Sequence, residues 1–120
     1  IKAIREDGGV TVYGDGNQTR DYLFVEDLTD GIVKAIQRGA AGTYQLGFGQ
    51  PTSVNTLIDI IRNVTGKQFT VTYEAARAGE ILHTHCNISK ARDAIGYDPT
   101  TELEEGVRRT WDWFETAEHG

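Results

Sequence analysis

Along VTVY, apolar Val10 and Val12 alternate with a polar neighbour, and this period of two predicts a half-buried strand over residues 10–13. YLFV, residues 22–25, is a short continuous apolar run between turn residues and predicts a second strand. From Val25 the period changes. Leu28, Ile32, Val33 and Ile36 recur every three or four residues, which predicts an amphipathic helix ending near Gly39. Tyr44, Leu46 and Phe48 in GTYQLGFG alternate once more and predict a strand. Beyond Pro51, Ser53 offers an N-cap, Val54, Leu57, Ile58, Ile61 and Val64 form the stripe of a second helix, and Gly66 stops it. Phe69, Val71 and Tyr73 in FTVTY then share one face of another strand. Strand, helix, strand in that order is a βαβ unit, which implies parallel strands and a right-handed crossover. A short helix is expected from Ser89 to Ile95, closed by Gly96. Thr101 with Glu104 reads as a capping box opening a last helix whose buried face is Leu103, Val107, Trp111 and Phe114. The expected fold class is α/β, a small mixed sheet with a βαβ unit and flanking helices.

Composition narrows this picture without altering it. The chain has 120 residues, 38% hydrophobic and 25% charged, which fits one globular domain over residues 1–120 rather than a disordered segment. It contains no internal repeat, low-complexity tract or Pro- and Ser-rich linker that would divide it. A formal charge of -6 repels polyanions, so neither nucleic acid nor an anionic membrane is expected as a partner, although a local arginine cluster could hold a small anion. Cys86 stands alone, which excludes an intramolecular disulfide and points to a reducing cytoplasm. No apolar run approaches the ~20 residues of a membrane span. The opening IKAIRED has no initiator Met, and Ile1 and Ile4 already sit at helical spacing, so the sequence reads as part of a longer one.

Candidate chemistry is sparse. GDGNQT and GFGQPT supply two glycines of a dinucleotide fingerprint but no third, and the second runs into Pro51 where a helix N-terminus should open. No tyrosine has a lysine four residues later, so the Tyr-x-x-x-Lys catalytic pair is missing. His83 and His85 in HTHC share a face of an extended segment, but two ligands do not complete a zinc site and no metal is expected. Cys86 reads as a small buried hydrophobe, since no basic partner adjoins it in sequence. Two arginines beside glycine turns remain: Arg20 after Gly14 and Gly16, and Arg77 in AARAGE. A guanidinium matches phosphate oxygens bidentately and stays charged. Taken singly, each also reads as a solvated surface residue.

The segment VYGDGNQTRDYLFVEDLTDGI resembles the sugar-nucleotide epimerase/dehydratase branch of the extended short-chain dehydrogenases, which includes UDP-glucose 4-epimerase and dTDP-glucose dehydratase. GTYQLGFGQPTSVNTLIDIIRNVTGK, YEAARAGEI and NISKARDAIGYDPTTELEEGVRRTWDWF are similar to later pieces of that family, in the family's order. The resemblance is to the carboxyl-terminal, substrate-binding lobe, which in the family lies over a Rossmann domain carrying NAD(P) and Tyr-x-x-x-Lys. It implies that Arg20 and Arg77 grip the diphosphate of a nucleoside-diphosphate sugar, that Tyr13 lies near the nucleobase, and that Glu80 accepts hydrogen bonds from the ribose. Asn87 departs from the aspartate usual before the SKA helix, which puts in doubt a polar contact made there. The resemblance further implies that these residues alone bind no NAD or NADP and do not turn over substrate. A competing expectation is an interaction module that kept the fold and forms a homo-oligomer through the face the Rossmann domain would cover.

Overall fold

The computed structural model describes residues 1–6 and 8–117. Helix α3 (Val54–Thr65) forms where the apolar stripe predicts it: the Ser53 hydroxyl accepts the Thr56 amide at 3.1 Å, and Gly66 ends the helix at φ 66°. Its inner face joins α1 (Lys2–Arg5), β1 (Val10–Tyr13) and α5 (Leu103–Thr116) around Ile4, Val12, Ile58, Phe69 and Trp111. Burying each of these large side chains contributes about 1.5–3 kcal/mol. A second core, Ile88, Ala91, Ile95 and Tyr97, sits under α4 (Ser89–Ile95), which Gly96 closes at φ 70°. Tyr44 and Leu46 pack against it.

The strands are arranged as two small sheets. β1 pairs in parallel with β4 (Val71–Glu74), Val10 opposite Val71 and Tyr13 opposite Glu74. β2 (Thr19–Asp21) pairs antiparallel with β3 (Pro51–Ser53), placing Arg20 opposite Thr52. The mixed α/β class is therefore as expected, but its wiring differs. Residues 44–48 form no strand: Tyr44 and Leu46 do pack on the second core, yet the Phe48 amide goes to the Asp21 carboxylate and not to a neighbouring strand. The β3–α3–β4 passage links two different sheets, so the anticipated βαβ unit is replaced by the long connection between β1 and β4. YLFV is not a strand either. Pairing stops at Asp21, and Val25 already opens α2 (Val25–Gln37).

Two helices carry further corrections. In α2 the apolar stripe faces outward, with Val25 63% and Ile36 75% exposed, while the buried side consists of Asp27 and Gly31. Gly31 is needed there, because a Cβ would lie 2.8 Å from the Tyr97 ring. Thr101 does not cap α5. Its amide and that of Thr100 donate to the Asp27 carboxylate at 3.0 and 3.1 Å, fastening the entry of α5 to α2, and Glu102 occupies the N-cap without a side-chain bond. Among the described residues no helix is long and apolar enough to cross a membrane.

Candidate functional site

Tyr13 ends β1 and Arg20 lies in β2, so the turn between them decides where both point. Gly14 (φ 89°) and Gly16 (φ 77°) reverse the chain in a conformation that L side chains rarely adopt. Asn55, at the start of α3, then holds the turn: its amide donates to the Gly16 carbonyl at 3.0 Å, its Nδ2 to the Asp15 carbonyl at 3.0 Å, and its Oδ1 accepts the Tyr73 hydroxyl at 2.8 Å. The buried Gln18 amide donates to the Tyr13 carbonyl at 2.8 Å. Asp15 accepts both the backbone and side-chain amides of Asn17, which hold its carboxyl below the usual carboxylate range.

Residues 75–81 form an exposed strap across this turn. Its ends are pinned by backbone bonds, Gly14 N–H to Glu74 C=O at 2.9 Å and Thr19 N–H to Leu82 C=O at 2.8 Å. A turn at Gly79 (φ 80°) lets the Glu80 amide donate to the Arg77 carbonyl. The four residues singled out from sequence thereby meet in two pairs. The Arg77 guanidinium lies 3.7 Å from the centre of the Tyr13 ring. Arg20 Nη2 donates to Glu80 Oε1 at 3.4 Å, while Arg20 Nη1 donates to the Thr19 carbonyl at 2.8 Å and reaches the Leu82 carbonyl at 3.5 Å. One aromatic face, two guanidinium groups and one carboxylate thus share a strap and a turn, an arrangement suited to an aromatic anion.

Several residues that organise the site were not singled out by sequence reasoning. Asp21, on the opposite side of β2 from Arg20, accepts the amides of Phe48 (2.8 Å), Gly49 (3.0 Å) and Cys86 (3.1 Å) and so ties two loops to the strand. Strand alternation alone places Asp21 away from the strap, but its amide donors lie at sequence separations of 27 to 65 that no local pattern reports. Cys86 is half-buried, and burial together with the Asp21 carboxylate pushes its thiol up from the ordinary range, which suits the inert role expected of it. Asn87 keeps a polar contact: its Oδ1 accepts the Ser89 amide at 3.0 Å where α4 opens.

His83 Nδ1 lies 3.1 Å from the Thr19 hydroxyl. Among the described residues, no group of three or more His, Cys, Asp or Glu side chains is placed to hold a metal. Nor do the glycine turns fit a dinucleotide. The first leads into β2 and its Gly16 carbonyl caps α3, whose Val54 amide is taken by the Gln18 carbonyl. The second leads into β3, and its Gly49 amide is held by Asp21. Neither opens a helix N-terminus over the space a pyrophosphate would need.

The chain is similar to a UDP-glucuronate 4-epimerase of Thermodesulfobacterium geofontis, 31% identical over 114 residues, which are 94% of this chain and 35% of that protein. A UDP-glucose 4-epimerase of Rhizobium leguminosarum bv. trifolii is 37% identical over 103 residues, 82% of this chain and 32% of that one. The chain thus spans about a third of the length of the relatives it matches. Among solved structures, a UDP-glucose 4-epimerase from Thermotoga maritima with UDP-glucose aligns with a TM-score of 0.91 at 27% identity, covering 98% of this chain and 38% of that one. A UDP-glucuronic acid 4-epimerase from Bacillus cereus in complex with UDP-glucuronic acid and NAD aligns with a TM-score of 0.85 at 28% identity, covering 97% and 38%. The family model for GDP-mannose 4,6 dehydratase runs through residues 1–110, the glycine turn and the strap included, and the chain belongs to that family of sugar-nucleotide epimerases and dehydratases, corresponding to their carboxyl-terminal part.

Proposed function

We propose that the chain is the nucleoside-diphosphate-sugar-binding lobe of a sugar-nucleotide epimerase or dehydratase, with Tyr13, Arg20, Arg77 and Glu80 as its ligand-facing residues. The observation that carries this reading is the pairing of Arg77 with Tyr13 and of Arg20 with Glu80, each between the strap and the segment that the glycine turn joins. Relatives solved with UDP-glucose and UDP-glucuronic acid support the choice of ligand class. Tyr13 offers a stacking face for a nucleobase, Arg20 and Arg77 offer donors for the diphosphate, and Glu80 offers an acceptor for ribose hydroxyls. Hydride chemistry on the sugar belongs to NAD or NADP, for which these residues form no cradle, so the lobe alone binds substrate without turning it over. The lone cysteine supports a cytoplasmic setting.

The test is calorimetric titration of the chain with UDP-glucose and dTDP-glucose. Binding on the order of 1 mM corresponds to about -4 kcal/mol. Arg20→Ala removes a charged hydrogen-bond donor, and a loss of about 1.5–3 kcal/mol weakens binding roughly tenfold or more. Absence of heat at millimolar ligand, or binding indifferent to Arg20→Ala, would remove the proposal.

The outward stripe of α2, Val25, Leu28, Ile32, Val33 and Ile36, together with the exposed Trp113, favours a second reading: a non-catalytic interaction module that associates as a homo-oligomer through this face. Light scattering over a wide concentration range separates the two, since a monomer throughout contradicts the second.

A further inference from the structure

The Arg20 guanidinium is already engaged. Nη2 faces the Glu80 carboxylate at 3.4 Å, and Nη1 is directed at the Thr19 and Leu82 carbonyls. Both partners of the ion pair are about one-quarter to one-third exposed, 31% for Arg20 and 26% for Glu80, so the pair is open to competition from solution. At 3.4 Å it is longer than the 2.7–2.9 Å of a tight charge-assisted bond, and a phosphate oxygen would make a shorter one. Any anion that approaches Arg20 also approaches Glu80, and the strap that carries Glu80 is tied at both ends. The carboxylate therefore stays near the anion after displacement. Unless the ligand brings a hydrogen-bond donor for it, the carboxylate has lost its partner and stands beside a like charge.

Resting on the reading of this site as an anion site, we propose that Glu80 is its specificity-determining residue, a charge filter: it excludes bare phosphate and pyrophosphate, and it admits a diphosphate ester whose attached group presents hydroxyls to the displaced carboxylate. Arg20 provides attraction for both kinds of ligand. Glu80 sets the difference between them. The same net charge of -6 that repels polyanions at long range cannot make this distinction, because it acts alike on every small anion.

The experiment is a titration of backbone amide chemical shifts with inorganic pyrophosphate and, separately, with UDP, on the unsubstituted chain, Glu80→Gln, Glu80→Ala and Glu74→Gln. Glu74 is exposed at the base of the strap and controls for loss of one negative charge in the neighbourhood. The filter predicts that both Glu80 variants bind pyrophosphate about 2- to 5-fold more tightly than the unsubstituted chain. UDP affinity is unchanged or falls, and Glu74→Gln moves both ligands by the same small factor. The gain for pyrophosphate shrinks as salt is raised. If UDP binds in an Arg20-dependent manner while the ratio of UDP to pyrophosphate affinity is the same in all four proteins, the filter is wrong and the site reading survives. If neither ligand binds the unsubstituted chain, the site reading fails and the filter with it.

Discussion

Replacing Asp21 by Asn is an almost isosteric change with a calculable effect. The carboxylate accepts three amides: Phe48 on Oδ1 at 2.8 Å, and Gly49 and Cys86 on Oδ2 at 3.0 and 3.1 Å. An asparagine has one oxygen. Turned so that the oxygen replaces Oδ2, it keeps the Gly49 and Cys86 bonds and sets its NH2 against the Phe48 amide, so one bond is lost and two become neutral. A hydrogen bond to a charged acceptor contributes about 1.5–3 kcal/mol and a neutral one about 0.5–1.5 kcal/mol. Allowing for water at this half-buried site, the substitution costs about 2–4 kcal/mol, a large share of the roughly 5–15 kcal/mol of a typical domain. With a urea slope of about 1–3 kcal/mol/M, the midpoint falls by about 1–2 M. Two local readouts place the effect. Amide exchange accelerates at Phe48, Gly49 and Cys86 more than in α3, and Cys86 alkylation at pH 8 quickens modestly, because burial is the larger cause of its raised thiol and Asp21 the smaller. A midpoint within about 0.3 M of the unsubstituted chain, or exchange at those three amides no faster than elsewhere, refutes the clamp.

Gly16→Ala forces a side chain into φ 77° and sets its Cβ 2.0 Å from Asn55 Oδ1, so Asn55 must release Tyr73 and the Asp15 carbonyl; the expected loss is about 2–3 kcal/mol. Gly39→Ala, at φ 59° with open space around it, costs only the strain of about 1 kcal/mol, and equal melting temperatures for the two variants would contradict the role given to Asn55. Tyr97 is fully buried, its hydroxyl donates to the Gly47 carbonyl at 2.9 Å, and burial above all, with Asp27 and Asp21 adding to it, pushes its pKa up to about 12. The unfolded chain releases this proton near pH 10 and the folded chain near 12, so the native state binds more protons in between and stability falls as pH rises through that window, by about 2–3 kcal/mol from this group. Urea titrations of the unsubstituted chain and Tyr97→Phe from pH 8 to 12 isolate this contribution; a stability difference that stays flat from pH 10 to 12 shows the hydroxyl is not held as described.

Local periodicity reported the helices well because each of α3, α4 and α5 buries a stripe at its own spacing, and glycines at 66 and 96 close α3 and α4 with positive φ. The strands were harder to read. Alternation at Tyr44 and Leu46 records which side is buried, whereas a ladder also needs a partner edge, and at Phe48 Asp21 supplies the acceptor instead. The α2 stripe has the opposite lesson: its period is helical, but period alone does not say whether the apolar face meets this chain or solvent. At the site, Arg20 and Arg77 were legible by residue type and their glycine turns. Their pairing with Glu80 and Tyr13 was not, because it depends on the strap being pinned at Glu74 and Leu82.

That pinning connects the fold to the chemistry. β1 and β4 run in parallel, so both deliver their C-terminal ends, Tyr13 and Glu74, to the same edge, and the glycine turn and the strap leave from there. The turn re-enters at Thr19 and the strap returns to it through the Leu82 carbonyl. Two independent excursions thus start and finish together, and each carries one arginine. Asn55 ties both excursions to α3: it donates to the Asp15 and Gly16 carbonyls of the turn and accepts the Tyr73 hydroxyl one residue before the strap's anchor at Glu74. The placement of both guanidinium groups therefore follows the packing of α3, whose Ile58 lies in the core with Phe69 and Trp111.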